Sequence, residues 1–178
     1  MLGDMRHRYC RRVLDKIHLA PEIIIITGKI NSGKSAYLEE LVTEEKSLGQ
    51  TPTGIMARGI FKAQNKIGYD VIDIASEASM PLARIFPFAD SDIRSGKFYF
   101  SKTAFDFGKE ALLNFKPDGI VFVDEVGPLE LAGKGYAECL RRLLQSRISK
   151  LYVVVRKELL SDFSEMFMGG GPAKIIET

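Results

Sequence analysis

The sequence predicts a three-layer α/β fold, with a mainly parallel central sheet between helices and a β-hairpin as decoration. Apolar runs at residues 23–26 and 120–123 indicate buried strands, and helical patterns follow later in the chain from each. Two alternating stretches separated by a polar turn, residues 53–62 and 67–75, indicate the hairpin. With 178 residues, 46% of them hydrophobic, the chain suits one domain. We expect this domain at residues 21–178, preceded by a basic amphipathic helix within residues 1–20.

Composition narrows the class of protein. A formal net charge of +2 does not indicate a nucleic-acid or anionic-membrane partner. The apolar runs are far shorter than the ~20 residues that span a bilayer, and no signal-peptide core is present. Cys10 and Cys139 lack metal-site spacing, so we expect reduced thiols and a cytoplasmic protein. His7 and His18 assemble no nucleophile system with the remaining residues.

The N-terminal segment, residues 4–18, has apolar residues at helical spacing and five basic residues elsewhere around the cylinder. It could contact a partner protein or an acidic lipid surface. The alternative, which we favour, is an amphipathic helix docked on the domain with its arginines in solvent. Pro21 separates this segment from the first strand.

The strand at Ile23–Ile26 leads into G-x-x-x-x-G-K-S, and a helical pattern follows at residues 35–49. In this setting a glycine-rich turn directs backbone N–H groups at phosphate, beside the positive end of a helix. Lys34 would meet the β- and γ-phosphates, and the Ser35 hydroxyl would ligate Mg²⁺. The predicted ligand is a nucleoside triphosphate such as ATP or GTP. Its binding residues would be Gly28, Lys29, Ile30, Asn31, Ser32, Gly33, Lys34 and Ser35.

Several basic residues lie between this loop and the next buried strand. Arg58, on the first hairpin strand, could reach the triphosphate or pair with a surface carboxylate. Short strands are expected within residues 81–86 and 96–100, and a helix over residues 102–115. The basic residues around these short strands, Arg84, Arg94 and Lys97, could cover the nucleotide or merely decorate a sheet edge, which is the interpretation we favour.

The strand at 120–123 delivers Asp124 and Glu125 at its carboxyl end, where ligands bind in doubly wound sheets. Asp124 would hold Mg²⁺, and Glu125 would accept a proton from the attacking water. A helix is expected at 135–148 and another buried strand at 150–156, which ends at Arg156 on the same side. A final helix at 157–167 and a terminal edge strand within 173–178 complete the pattern.

Four stretches together resemble the cancer-related nucleoside-triphosphatase family of P-loop proteins: GKINSGKS, the ARGIF…IGYDVIDI hairpin, PLAR and VDEVGPLEL. The resemblance covers about residues 22–155. It implies a RecA-like P-loop NTPase domain that slowly hydrolyses several nucleoside triphosphates with Mg²⁺. It also implies catalytic roles for Lys34 and Glu125, metal binding by Asp124, and an acidic residue, Glu130, at the mouth of the site. The chain departs from the family at Asn31-Ser32 and at VVVR, which leaves Arg156 facing either the γ-phosphate or solvent.

Three functions fit these patterns. The first is an NTPase in which Arg58 or Arg156 completes the site, with low turnover if no arginine does so. The second is a nucleotide-gated module that binds a partner protein through residues 4–18. The third is a nucleoside or nucleotide kinase, in which Glu125 would activate a hydroxyl group instead of water. The VDEVGPLEL stretch favours the hydrolase over the kinase.

Overall fold

The structure, a computed structural model, describes residues 20–30, 32–91 and 93–178. The predicted N-terminal helix lies outside these residues. The strands are β1 (Glu22–Gly28), β2 (Thr53–Lys62), β3 (Asn65–Asp73), β4 (Ser79–Arg84), β5 (Ile93–Ser95), β6 (Phe98–Phe100), β7 (Ile120–Val126), β8 (Lys150–Arg156) and β9 (Lys174–Glu177). The helices are α1 (Lys34–Ser47), α2 (Lys102–Leu113), the single turn α3 (Pro128–Leu131), α4 (Ala137–Leu144) and α5 (Leu160–Phe163). A 3₁₀ turn, Lys157–Leu159, and a π turn, Ser164–Met168, flank α5.

All nine strands form one sheet in the order β5-β6-β4-β3-β2-β7-β8-β1-β9. The half from β2 to β9 is parallel, whereas β3, β4, β6 and β5 add antiparallel pairings. The expected α/β fold is therefore confirmed, but the expectation of a mainly parallel sheet with a decorating hairpin was wrong in part. The pairings from β2 to β5 are antiparallel, and the hairpin formed by β2 and β3 lies in the middle of the sheet.

The short connections explain the antiparallel half. Two residues, Ala63 and Gln64, join β2 to β3, and such a turn can only connect antiparallel neighbours. A parallel pairing would need a crossover of a dozen or more residues. Since β2 also pairs with β7 in parallel, it is the strand at which the two halves meet. The three-residue strand β5 was not expected, because so short a stretch has no readable alternation.

Helices cover both faces of the sheet, and the alternation of β1 shows why. Ile25 packs into a cluster with residues of α2 and α4, whereas Ile24 and Ile26 pack with Leu38 and Val42 of α1 on the other face. All three isoleucines are buried, which accounts for a continuous apolar run in a central strand. None of the helices within the described ranges is long and apolar enough to cross a membrane.

Helix α2 is anchored at its N-terminus by a carboxylate from the preceding loop. Ser101 caps the helix by accepting a hydrogen bond from the Ala104 N–H at 3.2 Å. Asp90 Oδ2 accepts from the Thr103 N–H at 2.8 Å and from the Ser101 hydroxyl at 3.0 Å. These bonds, first that from Thr103, lower the pKa of Asp90 below its ordinary value. The loop is thereby tied to the helix that covers the antiparallel half.

Replacing Asp90 with asparagine is expected to lower the thermal midpoint at pH 7. A carboxylate with a lowered pKa stabilises the fold above the pKa of the unfolded chain, and this stability is lost as the pH falls through the folded pKa. The deficit of Asp90→Asn should therefore shrink as the pH falls below about 4. Melting curves between pH 7 and pH 3 check this, with Asp106→Asn on the exposed face of α2 as the control. An unchanged deficit at pH 3 would contradict the linkage.

Candidate active site

The site is built where β1, β7 and β8 end, because parallel strands bring their carboxyl ends to one edge of the sheet. Gly28 of β1 lies beside Arg156 of β8 in register. Val123 of β7 lies beside Val153, so Asp124 and Glu125 emerge at the same edge. Residues 28–35 follow directly from β1. The phosphate loop (residues 28–35), the acidic pair (Asp124 and Glu125) and Arg156 therefore line one space of about 320 Å³, which we call the phosphate cleft.

Glycines at two positions give the phosphate loop its shape. Gly33 precedes α1 with φ of 90°, a left-handed conformation that glycine adopts without strain. At Gly28 a Cβ atom would lie 2.5 Å from the backbone carbonyl oxygen of Thr178, so the C-terminal residue packed beside the loop leaves room only for glycine. No side chain of the described residues caps α1, which leaves the first N–H groups of the helix directed at the cleft. Asn31 lies outside the described residues.

Lys34 lies at the first turn of α1 and bends back over the loop. Its ammonium group donates to the carbonyl oxygens of Gly28, at 3.1 Å, and Lys29, and lies 3.4 Å from Ser32 Oγ. These contacts hold a positive charge over the backbone that would cradle the phosphates. Ile30 lines the outer part of the same cleft.

Asp124 is a buried carboxylate beside the Ser35 hydroxyl. It is 3% exposed, and its Oδ1 accepts from Ser35 Oγ at 3.1 Å while its Oδ2 accepts from the Ala57 N–H at 3.0 Å. Burial raises the pKa of Asp124 to about 7, and the Glu125 charge adds to the effect, against the hydrogen bonds and Lys34. The hydrogen bonds and Lys34 therefore do not fully offset the cost of burying the charged form of Asp124.

The donor set fits Mg²⁺. The oxygen atoms of Ser35 and Asp124 lie side by side, and a divalent cation would supply the charge that the buried carboxylate lacks. Mg²⁺ is commonly held by one or two protein oxygens together with water and substrate phosphates. Within the described ranges no three His, Cys, Asp or Glu residues cluster into a cage made of protein alone. The residues therefore suit a cation that arrives with a triphosphate.

Glu125 is held by an irregularity in β7. Between Val123 and Val126 the pairing advances one residue further on β7 than on β8, which is a β-bulge. Glu125 has φ of 61°, a left-handed conformation that is costly for a residue with a side chain. The bulge turns its carboxylate toward the end of β8, where it accepts a hydrogen bond from Arg156. Strain of this kind clusters at functional sites.

The two arginines proposed from the sequence have different positions. Arg156 pairs with Glu125 and lines the phosphate cleft. Arg58 is exposed and does not line it. Ala57 faces the cleft, and Arg58 therefore projects from the opposite face of β2, where Met56 packs toward α1. The structure brings Arg156 to the acidic pair and leaves Arg58 away from it.

The basic residues of the antiparallel half serve mainly local structure. Arg84 donates to the Tyr69 carbonyl at 2.7 Å and forms an ion pair with Asp70 at 2.6 Å. Arg94 lies over the Tyr99 ring, 5.2 Å from its centroid. Lys97 donates to the carbonyl of Lys66 at 2.9 Å. None of these three residues lines the phosphate cleft, although β4, which carries Arg84, pairs on both sides and is not an edge strand.

Glu130 does not lie at the mouth of the site, as the family resemblance implied. It is 5% exposed, and its carboxylate accepts from the Gly127 N–H at 2.9 Å and the Tyr136 N–H at 3.2 Å. Burial raises its pKa. The side chain thus ties the turn after β7 to the start of α4. Two backbone N–H groups thus hold the Glu130 carboxylate inside the protein, away from the mouth of the cleft.

Sequence reasoning missed the part that the hairpin plays in the cleft. Phe61, Lys66 and Tyr69 line it opposite the phosphate loop. Tyr69 lies across from Gly59 in register, and burial together with the nearby Glu125 charge raises its pKa to about 12. The small residues Ala57 and Gly59 of β2 could have indicated this cleft, because they leave space on the strand that pairs with β7.

A family model described as NTPase matches residues 23–175, which include the phosphate loop, the acidic pair and Arg156. The chain belongs to the NTPase family. Two relatives that match much of it are the nucleoside-triphosphatases THEP1 of Natranaerobius thermophilus and Sulfurisphaera tokodaii. The first is 27% identical over 86% of this chain and 85% of its own, and the second 26% over 78% and 80%.

Solved structures agree with the fold of the NTPase family. A human cancer-related nucleoside triphosphatase superposes with a TM-score of 0.70 at 21% identity, over 88% of each chain. THEP1 from Aquifex aeolicus gives a TM-score of 0.69 at 17% identity, over 87% of this chain and 88% of its own. At these identities the likeness establishes the fold alone.

Proposed function

We propose that this member of the NTPase family is a Mg²⁺-dependent enzyme that hydrolyses ATP, GTP and other nucleoside triphosphates to the diphosphate and phosphate. The observation that carries the mechanism is the arrangement at the edge of the sheet. A buried Asp124 is bonded to Ser35 of the phosphate loop, and the adjacent Glu125 is held toward the same cleft. Positioning and charge stabilisation are what phosphoryl transfer requires of a protein.

The phosphate-binding role falls to residues 28–35. Their backbone N–H groups and the start of α1 would bind the β- and γ-phosphates, and Lys34 would leave its carbonyl partners to meet them. Ser35 and Asp124 would hold Mg²⁺, which neutralises charge on the phosphates during transfer. These contacts involve the triphosphate only, and they support broad base specificity.

Glu125 would act as the general base. Its carboxylate accepts a proton from a water molecule as the water oxygen attacks the γ-phosphorus, and the nucleoside diphosphate leaves. Arg156 lies beside Glu125, where it would orient the carboxylate and stabilise charge on the γ-phosphate. Because its guanidinium is shared with Glu125, Arg156 would stabilise the γ-phosphate less than an arginine devoted to the phosphates, which supports slow turnover.

Two further expectations stay proposals. The cysteines, without disulfide or metal spacing in the sequence, support a cytoplasmic location. The segment 4–18, which lies outside the described residues, would be the contact for a protein partner.

Phosphate release from ATP, GTP, CTP and UTP tests the proposal. With Mg²⁺ we expect release from all four, with rates within about tenfold of one another because the contacts to phosphate are shared. Replacing Mg²⁺ with EDTA should abolish the release. Tight binding of a nucleotide without any turnover would contradict hydrolysis and leave a nucleotide-binding module.

Substitution of the two arginines tests which of them serves the reaction. Arg156→Ala should lower kcat by about tenfold to 10³-fold, because it removes the cation beside Glu125 and the γ-phosphate position. Arg58→Ala should leave kcat close to that of the wild type, because this exposed side chain does not line the cleft. Steady-state kinetics with Mg-ATP check both. The opposite ranking would place Arg58, and not Arg156, at the reacting phosphate.

A further inference from the structure

A second cavity lies beyond the acidic pair, on the side away from the phosphate loop. This aromatic chamber, of about 370 Å³, lies between the antiparallel strands, α2 and the turn after β7. The chamber and the phosphate cleft are lined in common by Ala57, Tyr69, Asp124, Glu125 and Arg156. Glu125 and Arg156 therefore stand between the two spaces. A molecule in the chamber would lie against Glu125, the proposed base, which also lines the phosphate cleft.

The walls of the chamber are mostly aromatic. Phe100 stacks on Phe105 at 5.5 Å, and Phe105 meets the edge of Tyr136 at 5.1 Å. Phe98 lies edge-on to Tyr69 at 5.3 Å. Val71 and Leu82 form the apolar floor. Rings arranged in this way favour a planar ring compound as the occupant.

The charges around the chamber argue against an ionic occupant such as a nucleotide. Lys97, at the rim, donates to the carbonyl of Lys66, and Arg156 is paired with Glu125. The acidic residues Asp124, Glu125 and Glu130 also line the chamber and offer no favourable contact to an anion. A second phosphate group would therefore meet no unengaged cation among the described lining residues. The chemistry suits an uncharged molecule.

Tyr136 forms part of the chamber wall, but its hydroxyl is turned toward α2. It is 4% exposed, and its hydroxyl has no hydrogen-bond partner within the described part of the chain. The hydroxyl lies against Gly108 of α2, where a Cβ atom would come within 2.3 Å, so that helix offers it no side chain. Since this hydroxyl is inaccessible and packs against α2, it faces away from the open space of the chamber, and Tyr136 contributes only its ring to the wall.

We propose that the aromatic chamber binds a second substrate, an uncharged ring compound with a hydroxyl group, and that this hydroxyl accepts the γ-phosphoryl group in place of water. The proposal rests on the proposed function, because it uses the same phosphate cleft and the same base. The hydroxyl proton passes to the Glu125 carboxylate as the oxygen bonds to the γ-phosphorus. The bond from that phosphorus to the bridging oxygen breaks, and its electron pair leaves with the nucleoside diphosphate. A phosphate monoester remains.

The test uses 4-fluorobenzyl alcohol as the probe, with 4-fluorotoluene, which lacks the hydroxyl, as the inert control. Titration followed by ¹⁹F NMR should show saturable binding of the alcohol, and ³¹P NMR with Mg-ATP should show its phosphate ester. Phe98→Ala should weaken binding about tenfold, since it removes a wall of the chamber. If Phe98→Ala does not fold, Phe98→Leu replaces it, because leucine keeps the wall apolar. Phe98→Leu should also weaken the binding of the alcohol. Phe86→Ala, 70% exposed and outside the chamber, is the matched control.

The outcomes separate the two proposals. Ester formation that falls with the Phe98 variants and survives Phe86→Ala supports the chamber as an acceptor site. No saturable binding, binding without ester, or equal binding by the Phe98 variants overturns it. Phosphate release in samples without probe reports hydrolysis alone. Phosphate release without ester formation would therefore contradict only the acceptor site. Ester formation without phosphate release would contradict only the proposed hydrolysis.

Discussion

Replacing Glu125 with glutamine is expected to lower kcat for hydrolysis of Mg-ATP by about 10²–10⁴-fold, the usual contribution of a general base. The amide has the shape of the carboxylate and can still accept a hydrogen bond from Arg156, but it takes no proton from water. The affinity for Mg-ATP should stay close to that of the wild type, because residues 28–35 and Asp124 are unchanged. Single-turnover hydrolysis and equilibrium binding measure the two quantities separately.

Glu158→Gln is the matched control for this prediction. Glu158 is an exposed glutamate just beyond β8, close in sequence to Arg156 but not among the residues that line the cleft. Its substitution should leave kcat within about twofold of the wild type. If Glu125→Gln turned over at the wild-type rate, another group would have to accept the proton, and the assignment of Glu125 would be lost.

Asp124→Asn is expected to have opposite effects on activity and on stability. Loss of the carboxylate should lower kcat/KM in Mg²⁺ by at least about 10²-fold, because a metal ion contributes several kcal/mol of charge stabilisation at the reacting phosphate. The thermal midpoint of the nucleotide-free protein should not fall. Burial raises the pKa of Asp124 to about 7, so the charged form is poorly stabilised there without a cation, and asparagine removes that charge.

Melting curves without nucleotide, and kinetics over a range of Mg²⁺ concentrations, check both parts. Ser35→Ala is the companion variant, since it removes the other protein oxygen beside the metal position. Ser35→Ala should also lower kcat/KM in Mg²⁺, as Asp124→Asn does. A drop in the melting midpoint of Asp124→Asn, with a dependence of the remaining activity on Mg²⁺ concentration like that of the wild type, would mean that Asp124 has a structural role only.

The parts of the site that local rules describe could be predicted from the sequence. The phosphate loop is one continuous stretch, in which the apolar run, the glycines, Lys34 and Ser35 each have a fixed offset. The position of Asp124 followed from a single buried strand and the rule that ligands bind at carboxyl ends. The structure places Ser35 and Asp124 in contact although they are far apart in the chain.

The parts that depend on pairing between distant strands could not be predicted. The conformation of Glu125 results from a bulge against β8. No residue in the stretch VDEV is of a type that would predict a bulge there. The position of Arg58 depends on which face of β2 turns to the cleft, and a shift of one residue reverses that face. The aromatic chamber draws its walls from β3, β4, β6, α2 and the segment after β7, so it exists only in the folded chain.

Hydrolysis in ¹⁸O-labelled water is the most direct test of the central claim, that water attacks the γ-phosphorus at this site. Under single-turnover conditions with Mg-ATP, each phosphate released should carry one ¹⁸O atom and the ADP none. The rate of labelled phosphate formation should fall in Glu125→Gln. Label in the ADP would place the attack on the β-phosphorus, and phosphate without label would show that water is not the attacking group. Either result would contradict the mechanism.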